Sequence, residues 1–248
     1  MKKFLSIVIA LALIFSLSAC AKEPTAEELY TLAAEKNAAT DKIDSVISMM
    51  GKMSIGAAGI SQDIEFDING SAKGENIGKE GMKMAMPMQV KMLGVSMDTN
   101  MYFADGWYLM EMAGQKVKCP MEVERALDQF TSIEIQPLDY VTLGDMTMDS
   151  DTKLYTIPYT MDMDKAIAMS SDALSMAGIN PTDMEGLEWR DCTGTIEVDK
   201  NGNIKHQEAT VSFSATMQGI EMECEMVLLV TYNEIAKDFS VSVPAASE

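Results

Sequence analysis

The feature that most limits what this chain can fold into is a period of two in its hydrophobicity. Ile60, Ile64, Phe66 and Ile68 alternate with Ser61, Asp63, Glu65, Asp67 and Asn69. Ile43, Ile47, Met49, Met53 and Ile55 likewise alternate with Asp44, Ser48, Lys52 and Ser54. Such alternation belongs to a sheet with one buried and one wet face. The next stretch fixes its own register. Met82, Met84, Met86, Met88, Val90 and Met92 share a parity, and Leu93-Gly94 reads as a two-residue turn. Pairing Met92 with Val95 sets Val90 opposite Met97, Met86 opposite Met101 and Met84 opposite Phe103. Asp105-Gly106 is a hairpin signal. It sets Phe103 opposite Tyr108, Met101 opposite Met110 and Thr99 opposite Met112. A slip of one residue would scatter these methionines to both faces.

The C-terminal third follows the same logic. An Asn201-Gly202 turn pairs Lys200 with Asn203 and sets Val198 opposite Lys205, Ile196 opposite Gln207 and Cys192 opposite Val211. A Gln218-Gly219 turn sets Phe213 opposite Cys224 and Val211 opposite Met226, so that one face collects Cys192, Ile196, Val211, Phe213, Met222, Cys224, Met226 and Val230. Cys192 and Cys224 then flank an intervening strand. Two strand spacings are about 9.6 Å, whereas a disulfide needs Cα atoms within about 7 Å. Free thiols are expected. Between the two sheet regions the chain predicts a Gly-rich loop over residues 70–81, a short helix over 121–130, strands over Leu138 to Met148 and Leu154 to Tyr159, and a helix over Asp162 to Ala177. Phe239, Val241 and Val243 suggest a last strand.

The first twenty residues carry a different message. Lys2 and Lys3 precede an uncharged apolar run from Phe4 to Leu17. That run is short for a bilayer span, which takes roughly 20 residues, and has the form of a secretory signal. Leu17-Ser18-Ala19-Cys20 matches the lipobox of bacterial lipoproteins, in which the cysteine thiol takes a diacylglycerol and becomes the mature N-terminus. The expected organisation is a signal over residues 1–19, a lipidated Cys20 and tether over 20–25, and one domain over 26–248. The expected location is the extracytoplasmic face of the cell membrane, through the lipid on Cys20. That domain opens with a helix from Ala26 to about Thr40, N-capped by Thr25 with Glu28 three residues on. The net charge of −19 argues against nucleic acid as a partner, because phosphate binding needs a basic face. It equally disfavours adsorption to anionic lipid through charge. A single histidine, His206, removes most metal and hydrolase templates.

Taken together, the lipobox, the helix opened by Ala26-Glu27-Glu28-Leu29-Tyr30, the Met-rich alternating strands, the Asp105-Gly106-Trp107-Tyr108 turn, and the hairpin from Thr193-Gly194-Thr195-Ile196-Glu197 to Asn201-Gly202 resemble LolA/LprG/LppX-type lipoproteins. The nearest resemblance is to small extracytoplasmic lipoproteins of Gram-positive bacteria. The resemblance implies an α+β half-barrel, a curved antiparallel sheet wrapping around a few helices, whose apolar concave face holds acyl chains in the better-known relatives. It brings no catalytic residues.

Half of the 24 methionines lie between Met49 and Met112. Thioethers suit Cu(I), yet at period two these residues share a face with Phe103 and Tyr108, where methionine fills irregular apolar space or lines an adaptable binding surface. His206 lies on the polar face with Ser212 and Ser214, but the sequence gives no reason to bring them together as the nucleophile and base of a catalytic triad. Asp199 to Asn203 resembles the start of a calcium loop but has Ile204 where the template wants glycine. Glu221, Glu223 and Glu225 form a solvated row. The expectation is therefore a binding module, not an enzyme, with no cofactor and no metal. Its ligand is an acyl chain, a lipid or another apolar molecule, held on the concave face by Met84, Met86, Met88, Met101, Phe103, Tyr108, Met110, Met112, Phe213, Met222 and Met226. The alternative is a structural lipoprotein with a filled core whose partner is a neighbouring envelope protein. A void of several hundred Å³ favours the first, and a dry core favours the second.

Overall fold

The structure is a computed structural model that describes residues 23–57, 60–123, 125–126, 135–162, 184–217, 219–236 and 238–244. Helix α1 (Ala26–Ala39) comes first. Its capping box is complete: the Thr25 hydroxyl accepts from the Glu28 amide at 3.2 Å, and the Glu28 carboxylate accepts from the Thr25 amide at 2.8 Å. Two orphan donors of the helix start are thereby satisfied.

Twelve strands follow in one antiparallel sheet: β1 (Lys42–Ala57), β2 (Ile60–Glu75), β3 (Lys83–Met92), β4 (Val95–Ala104), β5 (Trp107–Met112), β6 (Gln115–Pro120), β7 (Val141–Leu143), β8 (Thr147–Met148), β9 (Tyr155–Met161), β10 (Met184–Val198), β11 (Ile204–Met217) and β12 (Ile220–Tyr232). Their order is β6-β5-β4-β3-β2-β1-β12-β11-β10-β9-β7, with β8 also on β9. The first six strands form one meander, and β9 to β12 lie in order as another, with β7 and β8 both against β9. The two join where β1 pairs with β12, from Ser45 opposite Tyr232 to Gly56 opposite Glu221. The sheet is open and curved, a half-barrel. Among the described residues α1 is its one long helix. Edge strand β6 carries Lys116 and Lys118 and ends at Pro120, residues that discourage further pairing.

The hairpin registers read from the sequence hold. Met84 faces Phe103, Met86 faces Met101, Phe103 faces Tyr108, Phe213 faces Cys224 and Val211 faces Met226. Cys119, Cys192 and Cys224 are free thiols, and β11 separates the last two, as expected.

Four expectations need correction. The Gly-rich stretch over 70–81 is not all loop, since β2 runs on to Glu75. Gly70 sits there because any Cβ would strike the Pro87 carbonyl and Met88, its cross-strand partner. The single strand over Leu138 to Met148 is broken into a 3-10 turn, β7 and β8. The Gly144 amide donates to the Pro158 carbonyl at 2.8 Å, but the proline nitrogen has no hydrogen to return, so the ladder lapses. The Asn201-Gly202 turn is wider than two residues. The Asp199 carboxylate accepts from the Asn201 and Asn203 amides at 2.8 and 3.0 Å, and Val198 pairs with Ile204 rather than Lys205. Finally, residues 238–244 form no strand; Val241 is buried and its amide donates to Glu75 at 3.3 Å. Of the expected short helix over 121–130, Met121 and Glu122 are not helical, Val123, Arg125 and Ala126 are, and the rest lies outside the described residues. The expected helix beyond Asp162 and the segment through Cys20 lie outside them.

The concave face holds the core in two clusters. One gathers Met84, Met86, Phe103, Ile47, Ala72 and Ala126 under the second half of the first meander. The other packs Leu29, Tyr30 and Ala33 of α1 against Ile157, Tyr159, Ile196 and Val198. Gly194 makes the second contact possible. A Cβ there would overlap the Glu208 carbonyl and lie 2.5 Å from the Tyr159 ring. Gly194→Ala is expected to lower unfolding free energy by about 2 kcal/mol, read as a lower urea midpoint at an unchanged slope.

Candidate functional site

The structure sorts the sequence-derived ligand residues into three places. Met84, Met86 and Phe103 are buried, and Met88, Met101 and Tyr108 pack against them. Met121, Val123 and Ala126 close over this group. Met110, Phe213 and Met222 are half-buried further along the same face, and Met112 is exposed at a hairpin end. Met226 alone of the set lines the apolar cavity beside the β1–β12 seam.

That cavity has a volume of about 170 Å³ and lies on the concave face beside the β1–β12 seam. Met49 comes from β1, Met226 and Leu228 from β12, Ala209 and Val211 from β11. Cys192 and Ile196 on β10 and Met161 on β9 form the far wall, with Tyr30 and Ile135 at the helix side. Larger depressions exist. One of about 630 Å³ lies beside Lys52, Asp63, Glu65 and Lys91, and one of about 370 Å³ lies between Trp107, Lys118 and the segment Val241 to Pro244. Both open outward between charged side chains, so the smaller, apolar cavity is the better candidate for a hydrophobic ligand.

The polar groups around the cavity are engaged with one another. The Tyr30 hydroxyl donates to the Gln136 carbonyl at 3.0 Å. The Tyr232 hydroxyl donates to Gln207 Oε1 at 3.1 Å, and Tyr159 shares a hydrogen bond with the same side chain. What faces the void is mainly apolar. Water needs two to four polar partners to be held in such a space, and these walls offer few. Burial also pushes the Tyr30, Tyr159 and Cys192 groups above their ordinary values, so the thiol is a poor nucleophile.

Elsewhere the candidates for chemistry are dispersed. His206 is exposed, with Nδ1 3.2 Å from Thr231 Oγ1. Ser212 is buried and its hydroxyl donates to Asp191 at 3.4 Å. Glu223 pairs with Arg190 at 2.8 Å. Among the described residues no three His, Cys, Asp or Glu side chains gather into a metal-sized group, and no helix is long and apolar enough to cross a membrane. The cavity itself escaped the sequence, because it forms between strands more than 150 positions apart, from Met49 to Met226.

No family model matches the chain. No curated protein matches it. Solved structures that it resembles include LprF from Mycobacterium bovis, 10% identical over 90% of this chain and 99% of that one, at a TM-score of 0.41. A DUF1329 family protein from Desulfovibrio piger is 11% identical over 86% and 93%, at a TM-score of 0.26. The ywiB protein from Bacillus subtilis is 10% identical over 81% and 99%, at 0.24. At this distance the likenesses assign neither function nor ligand.

Raised tyrosine values have a thermodynamic consequence. The unfolded chain gives up its tyrosine protons near pH 10, while buried Tyr30 and Tyr159 hold theirs to higher pH. The unfolded state then binds fewer protons, so their contribution is intact below pH 10 and is lost as pH rises above it. The urea midpoint is expected to fall between pH 9 and about 11, and to fall less in Tyr159→Phe.

Proposed function

We propose that this chain is a membrane-anchored extracytoplasmic lipoprotein that binds a hydrophobic ligand on its concave face and is not an enzyme. The carrying observation is the cavity of about 170 Å³ at the seam, with apolar walls and mutually satisfied polar groups. Its size sharpens the expectation. It falls short of the several hundred Å³ that would house a whole drug-sized ligand. It is close to the roughly 150 Å³ apolar cavity that takes a benzene-sized guest. The fitting ligand is therefore part of a hydrocarbon chain, threaded past Met49 and Met226, rather than an entire lipid.

A second reading has its own observation. The Met-rich half of the face is filled, with Phe103 and Met82 almost inaccessible. That suits a structural lipoprotein acting through its acidic outer surface on a neighbouring envelope protein. Titration with a dansyl-labelled fatty acid separates the two. Saturable binding that Ala209→Phe weakens by about tenfold or more supports the ligand role, since the new ring would occupy the void. A chain that neither carries a ligand in native mass spectrometry nor binds the probe acts by the second route.

The anchor is tested apart from the cavity. The intact mass of the membrane-extracted protein is expected to correspond to a chain beginning at Cys20 and carrying diacylglycerol. Cys20→Ala is expected to lack the adduct. An unmodified thiol at Cys20 in the wild type would remove the anchor from the proposal.

A further inference from the structure

One transverse row of the concave face is rich in sulfur. Thr160 on β9 pairs with Thr193 on β10, and the next positions along are Met161 and Cys192. Cys192 pairs in turn with Val211 on β11, Val211 with Met226 on β12, and Met226 with Gly51 on β1. Met49 lies two residues away from Gly51 on β1. Met161, Cys192, Met226 and Met49 all line the seam cavity of about 170 Å³. Sulfur from four strands therefore faces a single void.

Two of these side chains touch. The Cys192 thiol donates to Met161 Sδ at 3.7 Å. Metal–sulfur bonds of about 2.3 Å place two sulfurs on one ion about 3.8 Å apart at a tetrahedral angle. The pair is thus already spaced as two ligands of one ion, with a proton where the ion would lie. Met161 is half-buried at the end of β9, so an ion can reach the thiol from that side.

The charge of the walls selects the ion. The described residues that line the cavity include no Asp, Glu, His, Lys or Arg. Burial holds the protons on Tyr30 and Tyr159, which leaves one thiolate as the anion the walls can supply. A monovalent cation on that thiolate makes a neutral pair, which an apolar site accepts. A divalent cation would leave an unbalanced charge in the same place. Thiolate and thioether sulfur are soft donors that favour Cu(I). The Met82 to Met88 run is the denser sequence signal for such a metal, but Met82, Met84 and Met86 are packed with Phe103 and Ala126 as filled core.

We propose that the seam cavity is a Cu(I) site, with the Cys192 thiolate and the Met161 thioether as ligands and Met226 completing the set from β12. Binding breaks the Cys192 S–H bond and forms a Cu–S bond. The proton passes to solvent and no electron is transferred. The inference goes beyond the hydrocarbon reading and does not rest on it.

The full chain, reduced and under argon, is titrated with the Cu(I)–bicinchoninate complex. The parent chain is expected to withdraw about one equivalent of copper and to show a copper–sulfur shell at about 2.3 Å in X-ray absorption. Cys192→Ala is expected to bind about hundredfold or more weakly. Cys20→Ala, Cys119→Ala and Cys224→Ala are expected to match the parent. Met161→Leu keeps the side-chain volume while removing its sulfur, and is expected to weaken binding by about tenfold or more. If Cys192→Ala folds poorly, Met161→Leu and the sulfur shell of the parent decide. No withdrawal by the parent chain, a copper shell without sulfur, or parent-like affinity in Cys192→Ala or Met161→Leu overturns the proposal. Binding of the dansyl-labelled fatty acid without copper uptake overturns this inference and leaves the hydrocarbon ligand. Copper uptake without fatty-acid binding supports this inference and removes the hydrocarbon ligand.

Discussion

Everything in this fold depends on the pairing of β1 with β12. Each meander is held by local hairpins, but neither covers its own apolar face. The seam from Ser45–Tyr232 to Gly56–Glu221 brings Ile47 of one meander beside Val230 of the other. That contact places both core clusters on one concave surface. It also creates the cavity, because Met49 and Met226 face it from the two sides of the seam. The cost lies in distance along the chain: closing so long a loop is entropically unfavourable before any contact rewards it.

The concave face is divided in its use. Under β3–β5, methionine, phenylalanine and the segment from Met121 to Ala126 fill the space. Methionine suits that task because its unbranched chain adapts to irregular gaps. Around β9–β12 the walls are stiffer, with Ile196 and Val211 facing inward and tyrosines pinned by Gln136 and Gln207. The cavity lies where these side chains meet Met49, Met161 and Met226.

The sequence displayed whatever is local. Two-residue turns at Leu93-Gly94 and Asp105-Gly106 determine which residues face each other, so the registers of β3, β4 and β5 were legible without a structure. So was the Thr25 cap, since its reciprocal bonds span three residues. What was not legible depends on neighbours. Gly70 looks like loop material until Pro87 and Met88 are seen against it. Pro158 disrupts not its own strand but the one beside it. Asp199 widens a turn that Asn201-Gly202 would have made tight. Most of the expected lining residues lie on the Met-rich strands, where alternation is most vivid; the cavity lies instead across the seam.

An open sheet has edges, and edges invite copies of themselves. Here β6 presents Lys116, held by Glu111 at 2.5 Å, and Lys118, whose ammonium lies 4.5 Å from the Trp107 ring centroid. Pro120 removes a donor at the strand's end. A protein confined to a surface meets its neighbours far more often than one free in three dimensions, and always with similar orientation. Under such crowding, a bare edge would grow into a filament lying flat on its support. On the proposed anchor, which would confine this protein to a surface, the lysines and the proline of β6 are what keeps its copies apart.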